Sequence, residues 1–270
     1  MFHFRQLTGS ARPGTPRLTE AAMKRPAFAV VLVAIALAST PARAIVGGSA
    51  SERVEPYTVL IVSNARGSIC SGTAIGRDLV ITAAHCVVRP ADYAIVRKLV
   101  GTQHLVPVAR VVLHPRFSAD SFRTRKPTPD LALLKTALPL PQTLRPAALA
   151  RENSLPRPGD RFLIAGWGQS VEGDNGSVGI LRALTLPAVG TTGGIMVRLS
   201  AGTSGGSCDG DSGGSVFRDN GRGLELAGVI GWATGAGGHN CGAVTGATLI
   251  GIHTQWIAEA AKSLGGRLGE

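Results

Sequence analysis

Residues 208–214 read Cys208-Asp209-Gly210-Asp211-Ser212-Gly213-Gly214, and the fold turns on how this stretch is read. A serine set between glycines is most often a tight turn. The spacing Gly210-x-Ser212-x-Gly214 also matches the strand-to-helix elbow that exposes a nucleophilic serine in α/β-hydrolases. That fold alternates strands with helices and orders its chemistry serine, acid, histidine. Here Thr82-Ala83-Ala84-His85-Cys86 and Asp130-Leu131-Ala132-Leu133-Leu134-Lys135 both precede Ser212, so the order is histidine, aspartate, serine. Around these segments lie short runs rich in Val, Ile, Leu and Thr, many bounded by Gly, Pro, Asn or Asp. Examples are Tyr57–Val62, Leu79–Thr82, Val108–Leu113, Leu131–Leu134, Arg161–Gly166, Leu181–Leu186, Ile195–Leu199, Ser215–Arg218 and Leu226–Trp232. Many short strands with turn signals between them predict an all-β sandwich or barrel.

The rest of the chain agrees with that class. It has 270 residues, 44% of them hydrophobic, enough for a sizeable core, while 36 glycines and 16 prolines favour turns over long helices. Only the tail reads as a helix: Gln255–Leu264 places Ile257, Ala260, Ala261 and Leu264 on one face. Arg116–Pro129 and Glu172–Gly179 read as long loops, and the Pro-rich stretch Pro139–Pro158 suits a crossing between two halves. The net charge of +11 includes six Lys/Arg and one acid in residues 1–44; residues 45–270 keep 22 basic and 16 acidic residues, an excess of six. That excess is spread without a dense run, so a nucleic-acid stripe is not expected. The four cysteines include no CxxC and no zinc spacing, and they allow three pairings.

The N-terminus bears on redox compartment. In residues 23–44, Lys24 and Arg25 precede an unbroken apolar run, Ala27–Ala38, and Ala42-Arg43-Ala44 supplies a small-residue cleavage site. This pattern is a signal peptide. The run is too short for a spanning helix, which needs roughly 20 residues. A secreted or periplasmic location follows, with no membrane attachment after cleavage, and two disulfides are then the default. Residues 1–22 are polar and lie upstream of Met23, which suggests an over-extended start. The Ala/Arg/Gly-rich composition points to a bacterial source. Cleavage after Ala44 would free the ammonium of Ile45, which opens Ile45-Val46-Gly47-Gly48.

Singly, the histidine, aspartate and serine segments carry little. Together with the Ile45 start, Gly166-Trp167-Gly168, Gly231-Trp232 and Trp256-Ile257, they make the chain resemble the trypsin/chymotrypsin family of serine proteases over nearly all of 45–270. The resemblance implies two six-stranded antiparallel β-barrels with a C-terminal α-helix and the active site between the barrels. The first barrel is expected over about 45–145, the second over about 146–252, and the helix over about 253–266. It implies a secreted serine endopeptidase acting through an acyl-enzyme, with His85, Asp130 and Ser212 as catalytic triad.

The chemistry needs these types. A serine hydroxyl is a weak nucleophile until a base takes its proton, and histidine has a suitable pKa. A buried carboxylate on the other ring nitrogen fixes the tautomer. Backbone N–H groups of Gly210 and Ser212 are expected as the oxyanion hole. The family pairs the acid beside the nucleophile, here Asp211, with a new N-terminal ammonium, here Ile45. Members usually need a second protease to free it; in this chain the signal-peptide site directly precedes Ile45, so export itself is expected to activate. The resemblance also implies disulfides Cys70–Cys86 and Cys208–Cys241, each bracing a catalytic loop.

The expected pocket is lined by Gly206 and Ser207, by Gly231-Trp232-Ala233, and by residues near Val244–Gly246. Gly206 stands where trypsin-type enzymes carry an aspartate, so the chain is read as non-tryptic, favouring an apolar residue before the cut. Gly231 replaces the family's serine, removing a hydrogen bond to Asp130. His104, His114, His239 and His253 are read as structural or surface residues. No metal and no cofactor are expected; the loop after His85 lacks the acidic pairs a calcium site needs. Protein or peptide substrates are the expected partners, with a protease inhibitor a further one, acting on a monomer. The competing reading is a catalytically inactive homologue that binds a partner, a class that usually loses a triad member.

Overall fold

The first half of the chain closes on itself. Strands β1 (Thr58–Ser63), β2 (Ser68–Gly76), β3 (Leu79–Thr82), β4 (Tyr93–Leu99), β5 (Thr102–Leu113) and β6 (Ala132–Thr136) form a closed barrel in the order β1-β2-β3-β6-β5-β4. Every pairing is antiparallel. Successive side chains of a strand face opposite ways. Val59, Ile61, Val80, Ile95, Ala132 and Leu134 therefore share one core. Leu79, Ile81, Leu131 and Leu133 face away from it, into a second cluster with Trp167, Phe217, Leu226 and the C-terminal helix. Both faces of β3 and β6 are covered, which explains why their sequences run apolar without alternation. These statements come from a computed structural model that describes residues 45–64, 67–89, 92–99, 102–151, 155–203 and 205–269. The expected leader, 1–22, and the expected signal peptide, 23–44, lie outside the described residues.

The second half repeats the architecture. A two-residue strand, β7 (Ala148–Leu149), emerges from the Pro-rich crossing. Then follow β8 (Arg161–Gly166), β9 (Arg182–Thr192), β10 (Met196–Leu199), β11 (Ser215–Asp219), β12 (Leu224–Thr234) and β13 (Val244–Leu249). The order is β11-β8-β9-β10-β13-β12, closed by pairing of β11 with β12, while β7 attaches to β12 in parallel. Phe162, Ile164, Leu186, Val197, Leu199, Val216 and Ile230 fill this barrel. Ile45 joins the same core, and bridges Val46–Gly206 and Ser49–Ala183 tie residues 45–49 to the second barrel.

Helix α3 follows as read from the sequence: it spans Thr254–Ser263 and buries Ile257, Ala260 and Ala261, with Leu264 just beyond. The expectation of only one helix needs correction. Single turns α1 (Ala84–Val87) and α2 (Ser121–Thr124) also form, and four residues are too few to leave a helical period. The Arg116–Pro129 loop contains α2, and the Glu172–Gly179 loop contains a short 3-10 turn, Asn175–Ser177. Among the described residues no helix is long and apolar enough to cross a membrane.

Candidate active site

Hydroxyl-bearing residues join the two barrels where the candidate residues meet. Ser71 on β2 donates its N–H to the Ser212 carbonyl at 2.7 Å and its hydroxyl to the Gly210 carbonyl at 2.9 Å. The Ser71 hydroxyl also accepts from the Trp167 N–H at 2.9 Å, and Thr82 donates to the Ser71 carbonyl at 2.7 Å. Below them, Ser215 bonds Thr73 at 2.7 Å and Thr58 at 3.2 Å, all three buried. Buried hydroxyls must be paired to offset desolvation. Pairing them across the cleft fixes the serine loop of one barrel to β2 of the other. Sequence reasoning missed these residues, because isolated Ser and Thr in strands carry no local signal.

His85 sits on α1, and Asp130 lies two residues before β6. Asp130 is buried and holds the histidine twice: Oδ1 accepts from the His85 backbone N–H at 2.9 Å, and Oδ2 lies 2.6 Å from Nδ1. A carboxylate at Nδ1 places the ring proton there and leaves Nε2 as the basic nitrogen. Phe122, on α2, meets the ring edge-on at 5.4 Å and 84°. His85 and Ser212 line the same two cavities. No hydrogen bond joins the Ser212 hydroxyl to the ring in this structure. Such bonds commonly tighten only when substrate is bound.

The turn carrying Ser212 is held by its backbone. Gly213 donates to the Ile230 carbonyl at 2.7 Å, and Gly214 to the Asp211 carbonyl at 2.8 Å. Gly210 and Gly213 have φ of +88° and +80°, which L side chains rarely adopt. An added Cβ on Gly213 would collide with Thr82 Oγ1 and the Ser71 carbonyl. Among the described residues, the N–H groups of Gly210 and Ser212 have no internal acceptor. Two unused donors beside a serine suit an incoming oxyanion.

Asp211 is fully buried and accepts from the Gly168 N–H at 2.8 Å and the Cys208 N–H at 2.9 Å. Burial pushes its carboxyl up to about 7, against the pull of those two bonds and of Arg182. The structure does not join Ile45 to Asp211: with residue 44 attached, Ile45 presents an amide, not an ammonium. Ile45 is nonetheless buried, and its φ of +49° is unusual for a β-branched residue.

Both expected disulfides form, Cys70–Cys86 with an S–S distance of 1.98 Å and Cys208–Cys241 with 2.06 Å. Cys70, His85 and Cys86 cluster closely, but both sulfurs are consumed in the disulfide and offer no thiolate to a metal.

A cavity beside Ser212 is lined by Ser207, Cys208, Asp209, Ile230, Gly231, Trp232, Ala233 and Asn240. Gly206 is not among the lining residues. Thr245 Oγ1 accepts from the Ser207 N–H and bonds the Ser207 hydroxyl, both at 2.9 Å, and both residues are buried. A Cβ on Gly206 would lie 3.3 Å from Thr245 Oγ1. Thr245 thus packs behind Ser207 and over Gly206; within Val244–Gly246 it is the residue that bonds a lining residue. Gly231 lies beside Asp130: a Cβ there would be 3.4 Å from Oδ2. Beyond Ile230, β12 pairs only with β13, so Gly231–Thr234 keeps a free edge along the cleft.

The other histidines lie apart. His114 and His253 stack in a buried cluster with Trp256, and His239 is exposed against Glu172. The His104 side chain lies outside the described set.

Comparison with known proteins places this site in context. The trypsin family profile matches residues 45–257. Serine protease 1 of Canis lupus familiaris is 32% identical over 208 residues, 71% of this chain and 80% of that protein. Trypsin of Sus scrofa is 28% identical over 233 residues, 80% and 94% of the two chains. Among solved structures, neuropsin, a serine protease expressed in the limbic system of mouse brain, superposes with a TM-score of 0.63 at 22% identity, covering 80% of this chain and 99% of that one. The relatives come from mammals and, for a vitellin-degrading protease of Bombyx mori, an insect. They lend no support to the bacterial source suggested by composition.

Proposed function

The chain belongs to the trypsin family of serine proteases and is a serine endopeptidase; from that premise we propose that His85, Asp130 and Ser212 cut peptide bonds after small apolar residues. The double hold of Asp130 on His85 is the observation that carries this reading, because it orients Nε2 as base. Nε2 takes the Ser212 proton as Oγ bonds to the scissile carbonyl carbon. The carbonyl oxygen gains the negative charge beside the Gly210 and Ser212 N–H groups. His85 then gives its proton to the departing amine as the C–N bond breaks, leaving an acyl-serine that water releases by the same steps. The Thr245–Ser207 pair beside Gly206, where no acid stands, supports a shallow pocket suited to Ala or Val; the one carboxylate in the lining is the exposed Asp209. The protein is exported, and release of the Ile45 ammonium beside Asp211 activates it.

A panel of chromogenic peptide amides varied at the residue before the cut tests this. Ala and Val should be favoured over Phe and Arg, with turnover abolished by Ser212→Ala. Preference for Arg or Lys would overturn the pocket reading. Sequencing the exported protein should give Ile45 first, and an earlier start needing a second protease would overturn activation by export.

A further inference from the structure

A groove runs from the cleft past Trp232, lined by Phe122, Arg125, Lys126, Pro127, Met196 and Trp232 among others. Its floor is apolar and its rim is cationic. Arg125 and Lys126 are both exposed, and among the described residues neither forms an ion pair. The one acid in the lining is Asp130, whose two oxygens are both engaged by His85. The loop's other acid, Asp120, is paired with Arg123. Two exposed cations thus face one groove whose single acid, Asp130, is buried and engaged by His85. Arg125 stands at the end of α2 in the left-handed conformation, φ +55°, a place that favours Gly or Asn.

The groove lies on the acyl side of the cut. A peptide whose residue before the cut enters the pocket between Ser207 and Ala233 runs along the free edge Gly231–Thr234 as an added strand. Its side chains alternate in direction. The second and fourth residues before the cut therefore point away from that pocket, toward Phe122 and then toward Arg125 and Lys126.

Building on the protease reading above, we propose that this groove selects substrates carrying a carboxylate side chain two or four residues before the cleaved bond. The apolar floor of Trp232, Met196 and Phe122 takes the aliphatic stem of a glutamate, and Arg125 and Lys126 take its charge. Exposed pairs are individually weak, but two cations with no exposed acid in the groove add, and their attraction falls with salt.

Acetyl-capped peptide amides with Ala before the cut, and Glu, Gln or Lys two or four residues before it, test this directly. At low salt, kcat/KM for the better Glu peptide should exceed that of its Lys counterpart by about tenfold. The ratio should shrink in high salt. The pair Arg125→Gln and Lys126→Gln should bring it near one, and Arg125→Glu with Lys126→Glu should invert it. Equal rates for Glu and Lys in the wild type, or a ratio untouched by these substitutions, would overturn the proposal while leaving the protease reading intact. No cleavage of any peptide would instead overturn the protease reading, and this one with it.

Discussion

At the scale of single residues, Gly210 and Thr245 separate rate from specificity. Gly210 combines a φ of +88° with close quarters: an added Cβ would lie 2.7 Å from Ile69 Cδ1 and 2.9 Å from the Gly168 Cα. Gly210→Ala must twist the peptide whose N–H is to meet the oxyanion. Removing one such donor costs on the order of 3 kcal/mol, about a hundredfold in kcat. KM should change far less, and an unchanged kcat would show that this N–H is not used. Thr245→Gly acts on the other axis. It removes the hydroxyl that bonds Ser207 and opens the space above Gly206. Larger apolar residues before the cut, Phe or Leu, should gain in kcat/KM relative to Ala by about tenfold. Retention of the wild-type order would place the selectivity elsewhere.

At the scale of elements, the disulfides act as braces on loops that carry chemistry. Cys208–Cys241 closes a 33-residue separation containing Gly210, Ser212, β11 and β12. Loop-closure entropy puts its contribution at about 3–4 kcal/mol. Cys208→Ala with Cys241→Ala should lower the urea midpoint by that equivalent and raise KM, since Asn240 and Cys208 both line the pocket. An unchanged midpoint would mean the loop is held by β12–β13 pairing alone. The elements differ in how readily they can be read from sequence. β3 and β8 have the ends that their apolar runs predict, because Leu79–Thr82 and Arg161–Gly166 are bounded by turn residues. β2 and β13, which the reading did not pick out, are rich in Ser, Thr, Ala and Gly, as Ser-Ile-Cys-Ser-Gly-Thr-Ala-Ile-Gly shows. A small residue suits β2 at Gly72 because the first barrel's core is close there: a Cβ would lie 2.8 Å from Val80 and 3.0 Å from Ile61. The histidine, aspartate and serine segments were legible because they are contiguous motifs. The groove cations and the Thr73–Ser215 contact were not, since they arise only when distant elements meet.

At the scale of the whole molecule, buried ionisable groups set the response to acid. His114 and His253 pack ring to ring at 4.8 Å, with Trp256 at 4.7 Å from His114. Burial lowers both from 6.5 to about 4, with Arg116 adding to the effect on each and His253 to that on His114. Both are therefore neutral in the folded chain, while the unfolded chain protonates each as pH falls below 6.5. Their stabilising effect is complete above 6.5, is lost between 6.5 and 4, and changes no further below that. The limit is about 3 kcal/mol for each. Asp211 works the other way: raised from 3.8 to about 7, it takes a proton in the fold that the unfolded chain refuses over that interval. It therefore favours the fold as pH drops from 7. Two histidines against one carboxyl leave a net loss toward acid. Once Ile45 is freed, its ammonium beside Asp211 would keep the carboxyl ionised and cancel the opposing gain. Urea midpoints at pH 4.5 and 6.5 should therefore fall toward acid in both forms, and more steeply in the chain beginning at Ile45 than in the chain that retains residues 1–44. His253→Gln should flatten the slope in each. Equal slopes in the two forms would mean that Ile45 does not reach Asp211, and the activation step would then need another acceptor for the new N-terminus.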